Sequence, residues 1–206
     1  EPLPGVTYSS FLVPGLVMMT LQQNAFSNSS SSLTQSKISG NLIFLMLSPM
    51  RPWQWFIGYL GGSIVRGLSC GIVLWLFCLF VVQTPVKYPL WALWFAVMSC
   101  VLMGGLGIIA GIYAEKYDQI SAFQNFLINP LTLLAGVFYS TSNLPDGWRS
   151  ISLFNPFFYL IDGFRFGVFG VSDVTPWVSM FICNLSAIIV STLCIYLISS
   201  GWRLKN

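Results

Sequence analysis

The sequence predicts an all-α integral membrane protein, and three observations predict it. Hydrophobic residues make up 55% of the 206 and charged residues only 7%. Mean hydropathy is +0.76, outside the range of soluble domains. Four apolar runs, at about 56–82, 90–114, 120–139 and 176–199, each reach the ~20 helical residues that a bilayer's hydrocarbon core demands. None alternates polar and apolar residues as a barrel strand does. Lipid obliges every backbone group to pair within its own segment, so the runs are helices.

A fifth span is expected at about 8–33. Its first half, FLVPGLVMMTL at 11–21, is apolar, but Gln22, Gln23, Asn24 and a serine run at 27–32 follow. A polar half of this kind sits at membrane depth where it lines a water-filled cavity or faces protein. Read by composition alone, the serines form a flexible loop. Next comes a short apolar patch, NLIFLML at 41–47, between Lys37 and Gly40 on one side and Pro49, Arg51 and Pro52 on the other. It is too short to cross and suits a helix at the interface or docked on a partner. Trp53, Trp55 and Tyr59 then mark a headgroup boundary, where amphipathic rings settle.

Within the span from 56, the pairs Gly58/Gly62 and Gly67/Gly71 have GxxxG spacing, which admits another helix closely. Residues 85–89 make a tight turn. Glu115, Lys116 and Asp118 form the next polar connector, either solvated or in contact with a cytoplasmic partner. The stretch 140–173 is neither a loop nor a span. A turn at 144–148 opens it, and its aromatic remainder is broken by Asn155-Pro156, Asp162-Gly163 and Arg165. That is the profile of a re-entrant or interfacial helix pair on the outer side. The chain reads as one transmembrane domain, 1–206.

Lysine and arginine give the orientation. With the C-terminus cytoplasmic and 8–33 crossing, Lys37, Arg51, Lys116, Arg203 and Lys205 lie inside, while Lys87, Arg149 and Arg165 lie outside.

Composition also excludes function classes. A net charge of +3 without a basic cluster does not fit nucleic acid as a partner. The five cysteines lie inside apolar runs without ligand spacing and read as packing residues. These residues include no histidine, no phosphate-cradling GxxxxGK[ST] loop and no recognisable nucleophile–base pair. No catalytic, cofactor or metal site is therefore expected. Arg66 is the charge deepest in a span. It either faces the bundle as a packing or gating residue, beside Gly62, or snorkels to the interface. Asp162 and Arg165, three apart, either pair on one helical face or lie on a solvated hairpin.

The order of motifs adds a resemblance. FLVPGL (11–16), AFSNSSSSL (25–33), KISG (37–40) and LSP (47–49) come first. Gly58-Tyr59, Gly61-Gly62, Arg66-Gly67, EKYDQ (115–119) and NPFFYLIDGFR (155–165) follow. Together they resemble ABC-2 type permeases, in the bacterial inner-membrane branch related to nodulation-factor, polysaccharide and drug exporters. The resemblance implies a six-helix subunit, five of whose helices are visible here without the family's first. It also implies homodimerisation and pairing with a separate ABC ATPase subunit that holds ATP and Mg. The segment at about 36–52 would then be a coupling helix docked on the ATPase, with Lys37, Gly40, Asn41, Leu45, Pro49 and Arg51 as contact candidates. Gln54 stands where relatives often carry an acidic residue. Residues 140–173 would be the outer re-entrant hairpin. The implied function is ATP-driven export of an amphipathic, glycan- or lipid-bearing substrate or drug across the inner membrane. The alternative is a non-transporting anchoring or assembly subunit.

Overall fold

A computed structural model describes residues 7–82, 86–139 and 146–201, and all regular structure among them is helical. The elements are α1 (Tyr8–Ile38), α2 (Leu42–Leu47), α3 (Pro52–Val81), α4 (Pro89–Tyr113) and α5 (Tyr117–Phe123). A π-helical turn (Gln124–Ile128) leads into α6 (Asn129–Leu133), followed by α7 (Asp146–Phe154), α8 (Pro156–Phe169) and α9 (Pro176–Ser200). The expected turn at 144–148 lies partly outside the described residues, as does the start of the turn at 85–89; Arg203 and Lys205 lie wholly outside them.

Proline and glycine punctuate these helices. Proline occupies the opening turn of α3, α4, α8 and α9, where its missing N–H leaves no helical carbonyl without a donor. Asn155 caps α8, its side-chain oxygen accepting the Phe157 N–H at 3.0 Å. Gly170 and Gly201 close α8 and α9 in the left-handed conformation.

Three helices, α3, α4 and α9, are long and apolar enough to cross a membrane. The other two expected spans do not meet that measure, for different reasons. With 31 residues, α1 has ample length, but its second half is polar. The serine run forms helix here, which corrects the loop reading. Ser30 donates to the Phe26 carbonyl at 2.9 Å and Ser36 to that of Ser32 at 3.0 Å. A hydroxyl that bonds back one turn hides its polarity against its own helix. The run expected at 120–139 starts at Tyr117 and ends at Leu133. Pro130 has no N–H, and its ring would meet the carbonyl of Phe126 in a regular helix. The π-helical turn widens the helix at that point. Beyond α6, Gly136 turns the chain at φ 78°.

The core is built around α1 and α4, which pack on each other and share α3 and α8 as neighbours. Glycines let the backbones close up. A Cβ on Gly107 would lie 2.5 Å from the Phe26 carbonyl oxygen, and one on Gly67 would lie 2.8 Å from the Cys100 sulfur. Phe11, Phe26, Phe95, Met103 and Phe158 fill this core completely buried. Of the two GxxxG pairs, Gly67/Gly71 packs within the chain, whereas Gly58 faces open space. In its most apolar window α4 is 72% buried and α3 only 11%, so α3 presents most of its surface outward.

Candidate functional site

A second, smaller core ties α2 to the ends of the long helices. Leu42 is buried with Leu33, Phe56, Ile108, Ile112, Cys194 and Leu197, drawn from α1, α3, α4 and α9. Gly40, at φ 72°, reverses the chain between α1 and α2. With Leu42 turned in, helical spacing turns Ile43, Phe44 and Leu47 out, at 62, 73 and 78% exposure. Asn41, Pro49 and Arg51 are exposed beside them, while Leu45 is half-buried. Of this patch, the contact candidate Leu45 is thus partly covered, and Phe44 and Leu47 are fully on the open side. The anchor at Leu42, once known, sets the phase that finds them.

Lys37 takes a different part from the one expected of a contact residue. Its ammonium donates to the carbonyls of Ile112 and, at 3.2 Å, Ala114. These carbonyls lie at the end of α4, where the helix leaves its acceptors unpaired and a cation is favoured. The Tyr117 hydroxyl bonds Gln35 of α1, so the connector after α4 is fixed to the same helix. Glu115, Lys116 and Asp118 are exposed on that connector.

A groove runs up from this end between α1 and α3. On α1 its edge is the row Thr20, Asn24, Asn28, Ser32, Ser36, each one turn from the next and only half-buried. On α3 the facing edge is Tyr59, Gly62 and Arg66. The Tyr59 hydroxyl lies 3.3 Å from that of Ser36, and Gly62 lies against the Asn28 amide. The lower part widens into a cavity of about 310 Å³ lined by Asn28, Ser32, Gln54, Trp55, Tyr59 and Gly62, among others. Arg66 is exposed, so it does not pack into this chain's own bundle. Just inside the groove, Ser29 and Ser63 share a buried hydrogen bond.

At the opposite end, Asp162 and Arg165 are both buried on α8, and they diverge instead of pairing. Asp162 accepts the backbone N–H groups of Asp173, at 2.8 Å, and Val174, at 3.3 Å. It thereby holds the chain's entry into α9. Arg165 donates to the Val137 carbonyl at 2.8 Å, and its guanidinium lies 3.8 Å from the Phe11 ring centroid. The solvated-hairpin alternative fails for the same reason, since both side chains are covered. Fourteen residues long, α8 covers about 21 Å and is too short to cross a bilayer. Burial pushes the Asp162 carboxyl up to about 6, against the pull of its two N–H donors.

The comparisons with known proteins bear on this arrangement. The profile of the ABC-2 type transporter family matches residues 3–169. The chain belongs to this family. The inner membrane transport permease YadH of Escherichia coli K12 is 38% identical over 177 residues, which is 86% of this chain and 69% of that protein. Its counterpart in Shigella flexneri matches equally. The probable multidrug ABC transporter permease YbhR of Escherichia coli K12 is 22% identical over 160 residues, 77% of this chain and 44% of its own length. The chain is thus an ABC-2 permease, a membrane transport subunit of multi-pass helical build, and membership implies an ABC ATPase as partner.

Proposed function

We propose that this permease is the membrane half of an ATP-driven exporter, carrying an amphipathic, glycan- or lipid-bearing substrate or drug outward across the inner membrane. It acts as a homodimer, with its C-terminus cytoplasmic, and ATP with Mg is bound and hydrolysed in two copies of a separate subunit. The observation that carries this reading is the exposed apolar rim of α2. Ile43, Phe44 and Leu47 stand out from a helix whose Leu42 joins a small core drawn from α1, α3, α4 and α9. A push on that rim reaches α1 through Gly40 and α4 through Lys37. Closure of an ATPase dimer beneath it would tilt the spans between inward- and outward-accessible states. The outward face of α3 serves lipid or a second copy.

The test is co-purification with a co-expressed cognate ABC ATPase, followed by transport into inverted vesicles. Phe44→Glu with Leu47→Glu is expected to release the ATPase while membrane insertion stays normal. Retention of the ATPase by that variant would overturn the docking assignment. A complex that binds the ATPase yet shows no ATP-dependent uptake by inverted vesicles would instead favour an anchoring subunit.

A further inference from the structure

Arg66 lies one turn beyond Gly62 on the edge of α3 that borders α1. It stands seven residues past Tyr59, a rise of about 10 Å along the helix. The aromatic residues Trp53, Trp55 and Tyr59 set the headgroup level, so the guanidinium's backbone sits well inside the hydrocarbon. A charge carried on that backbone requires an anion, water or a reach back to the headgroups.

Among the described residues, the acidic ones lie elsewhere in the fold. Of the six in the chain, Glu115, Asp118 and Asp173 lie at or beyond helix ends, and Asp146 opens α7. Asp162 is buried, with both oxygens already accepting N–H groups. Glu1 precedes the described residues. A second copy of the chain, rotated about an axis along the membrane normal, presents every residue at unchanged depth. Glu115, Asp118, Asp162 and Asp173 of a partner copy therefore come no nearer to Arg66 in depth.

The surroundings of Arg66 favour one kind of guest. The α-helical Cα–Cβ tilt aims its side chain back over Gly62, into the groove. There Asn24, Asn28 and Ser32 offer neutral amides and hydroxyls from α1, and the cavity below opens beside Trp55 and Tyr59 at headgroup level. The outward face of α3 past Arg66, at Ile72, Val73, Leu76 and Phe77, is exposed and apolar. A polar, open-sided slot with one cation and an apolar flank suits an anionic head with a hydrocarbon tail. Arginine's planar fork matches phosphate oxygens two at a time.

We propose that the α1/α3 groove binds the phosphate headgroup of an anionic amphiphile from the cytoplasmic leaflet, with Arg66 as its charge partner. The inference rests on the permease reading for its leaflet and names the chemistry of the cargo, but its test needs neither nucleotide nor transport. The permease with its ATPase is placed in phosphatidylcholine bilayers, and spin-labelled phosphatidic acid is compared with spin-labelled phosphatidylcholine for the immobilised fraction. The expected result is a several-fold preference for phosphatidic acid. Arg66→Gln is expected to bring that preference to parity and Arg66→Lys to retain part of it. Gly62→Leu, which keeps the charge and fills the slot, is expected to abolish it too. Inorganic phosphate at millimolar level is expected not to compete.

An undiminished preference in Arg66→Gln would show a merely snorkelling arginine. Undiminished preference in Gly62→Leu would place the headgroup outside the groove. Competition by inorganic phosphate would make this a small-anion site. Each of these results overturns the inference while leaving ATPase pairing and transport intact, so its failure is distinct from failure of the export reading.

Discussion

The ammonium of Lys37, at the end of α1, lies 3.2 Å from the carbonyl oxygen of Ala114, the residue that caps α4. Two helices distant in sequence are joined there by one side chain, on the face of the bundle that carries α2. Lys37→Met should remove charge-assisted hydrogen bonds worth about 1.5–3 kcal/mol. The expected outcome is a lower thermal midpoint in detergent and faster proteolysis at Glu115–Asp118. An unchanged midpoint together with loss of the ATPase would instead make Lys37 a direct contact residue.

The buried Ser29–Ser63 pair is suited to a double-mutant cycle. Ser63 also donates to the Tyr59 carbonyl at 3.1 Å, whereas the Ser29 hydroxyl bonds Ser63. Ser63→Ala should therefore cost more than Ser29→Ala, on the order of 1–3 kcal/mol, because it leaves a buried hydroxyl unmatched. The double alanine should recover most of the loss. Additive losses in thermal unfolding would refute the pairing.

Gly107 carries the closest approach of α4 to α1. Gly107→Ala would put a methyl group against the Phe26 carbonyl, whose backbone cannot yield as a flexible side chain does. The expected cost is about 1–3 kcal/mol, read as reduced yield of folded protein and a lower midpoint. Gly58→Ala, in open space, is the control and should be neutral. Equal behaviour of the two would argue against the α1–α4 packing.

Asp162 gives the outer end a pH dependence. Its carboxyl titrates near 6 when folded, against 3.8 for an ordinary aspartate. The folded state thus binds the proton more tightly, and its stabilisation is full below about 4 and lost as pH rises through 6. Thermal stability should fall between about pH 4 and pH 6, and Asp162→Asn should flatten that slope even if it lowers the midpoint throughout. The same slope in the variant would exclude Asp162 as its source.

The apolar runs were legible because lipid imposes a length and an absence of charge, and both are visible in one dimension. Helices α3, α4 and α9 begin and end within a few residues of the expected limits. The polar half of α1 was harder, since residues that favour a loop in water become helical when serines such as Ser30, Ser31 and Ser36 bond back one turn. The break at Pro130 depends on a local widening that leaves no periodic trace. Asp162 and Arg165 look like partners by spacing, yet each is claimed by backbone from another segment, Asp173 and Val137 respectively. Long-range partners of that kind cannot be read from spacing. The same holds for Phe44 and Leu47, whose outward phase depends on where Leu42 finds its core.

The polar half of α1 also bears on how the protein is made. Gln22, Ser29, Ser30 and Thr34 are completely covered by neighbouring helices in the folded chain. During synthesis α1 emerges before α3 and α4 exist to cover it. Without α3, the Ser29 hydroxyl loses Ser63 and has lipid in its place. The polar side of α1 thus depends on α3 and α4 for its cover, and α1 settles in the membrane together with the helices translated after it.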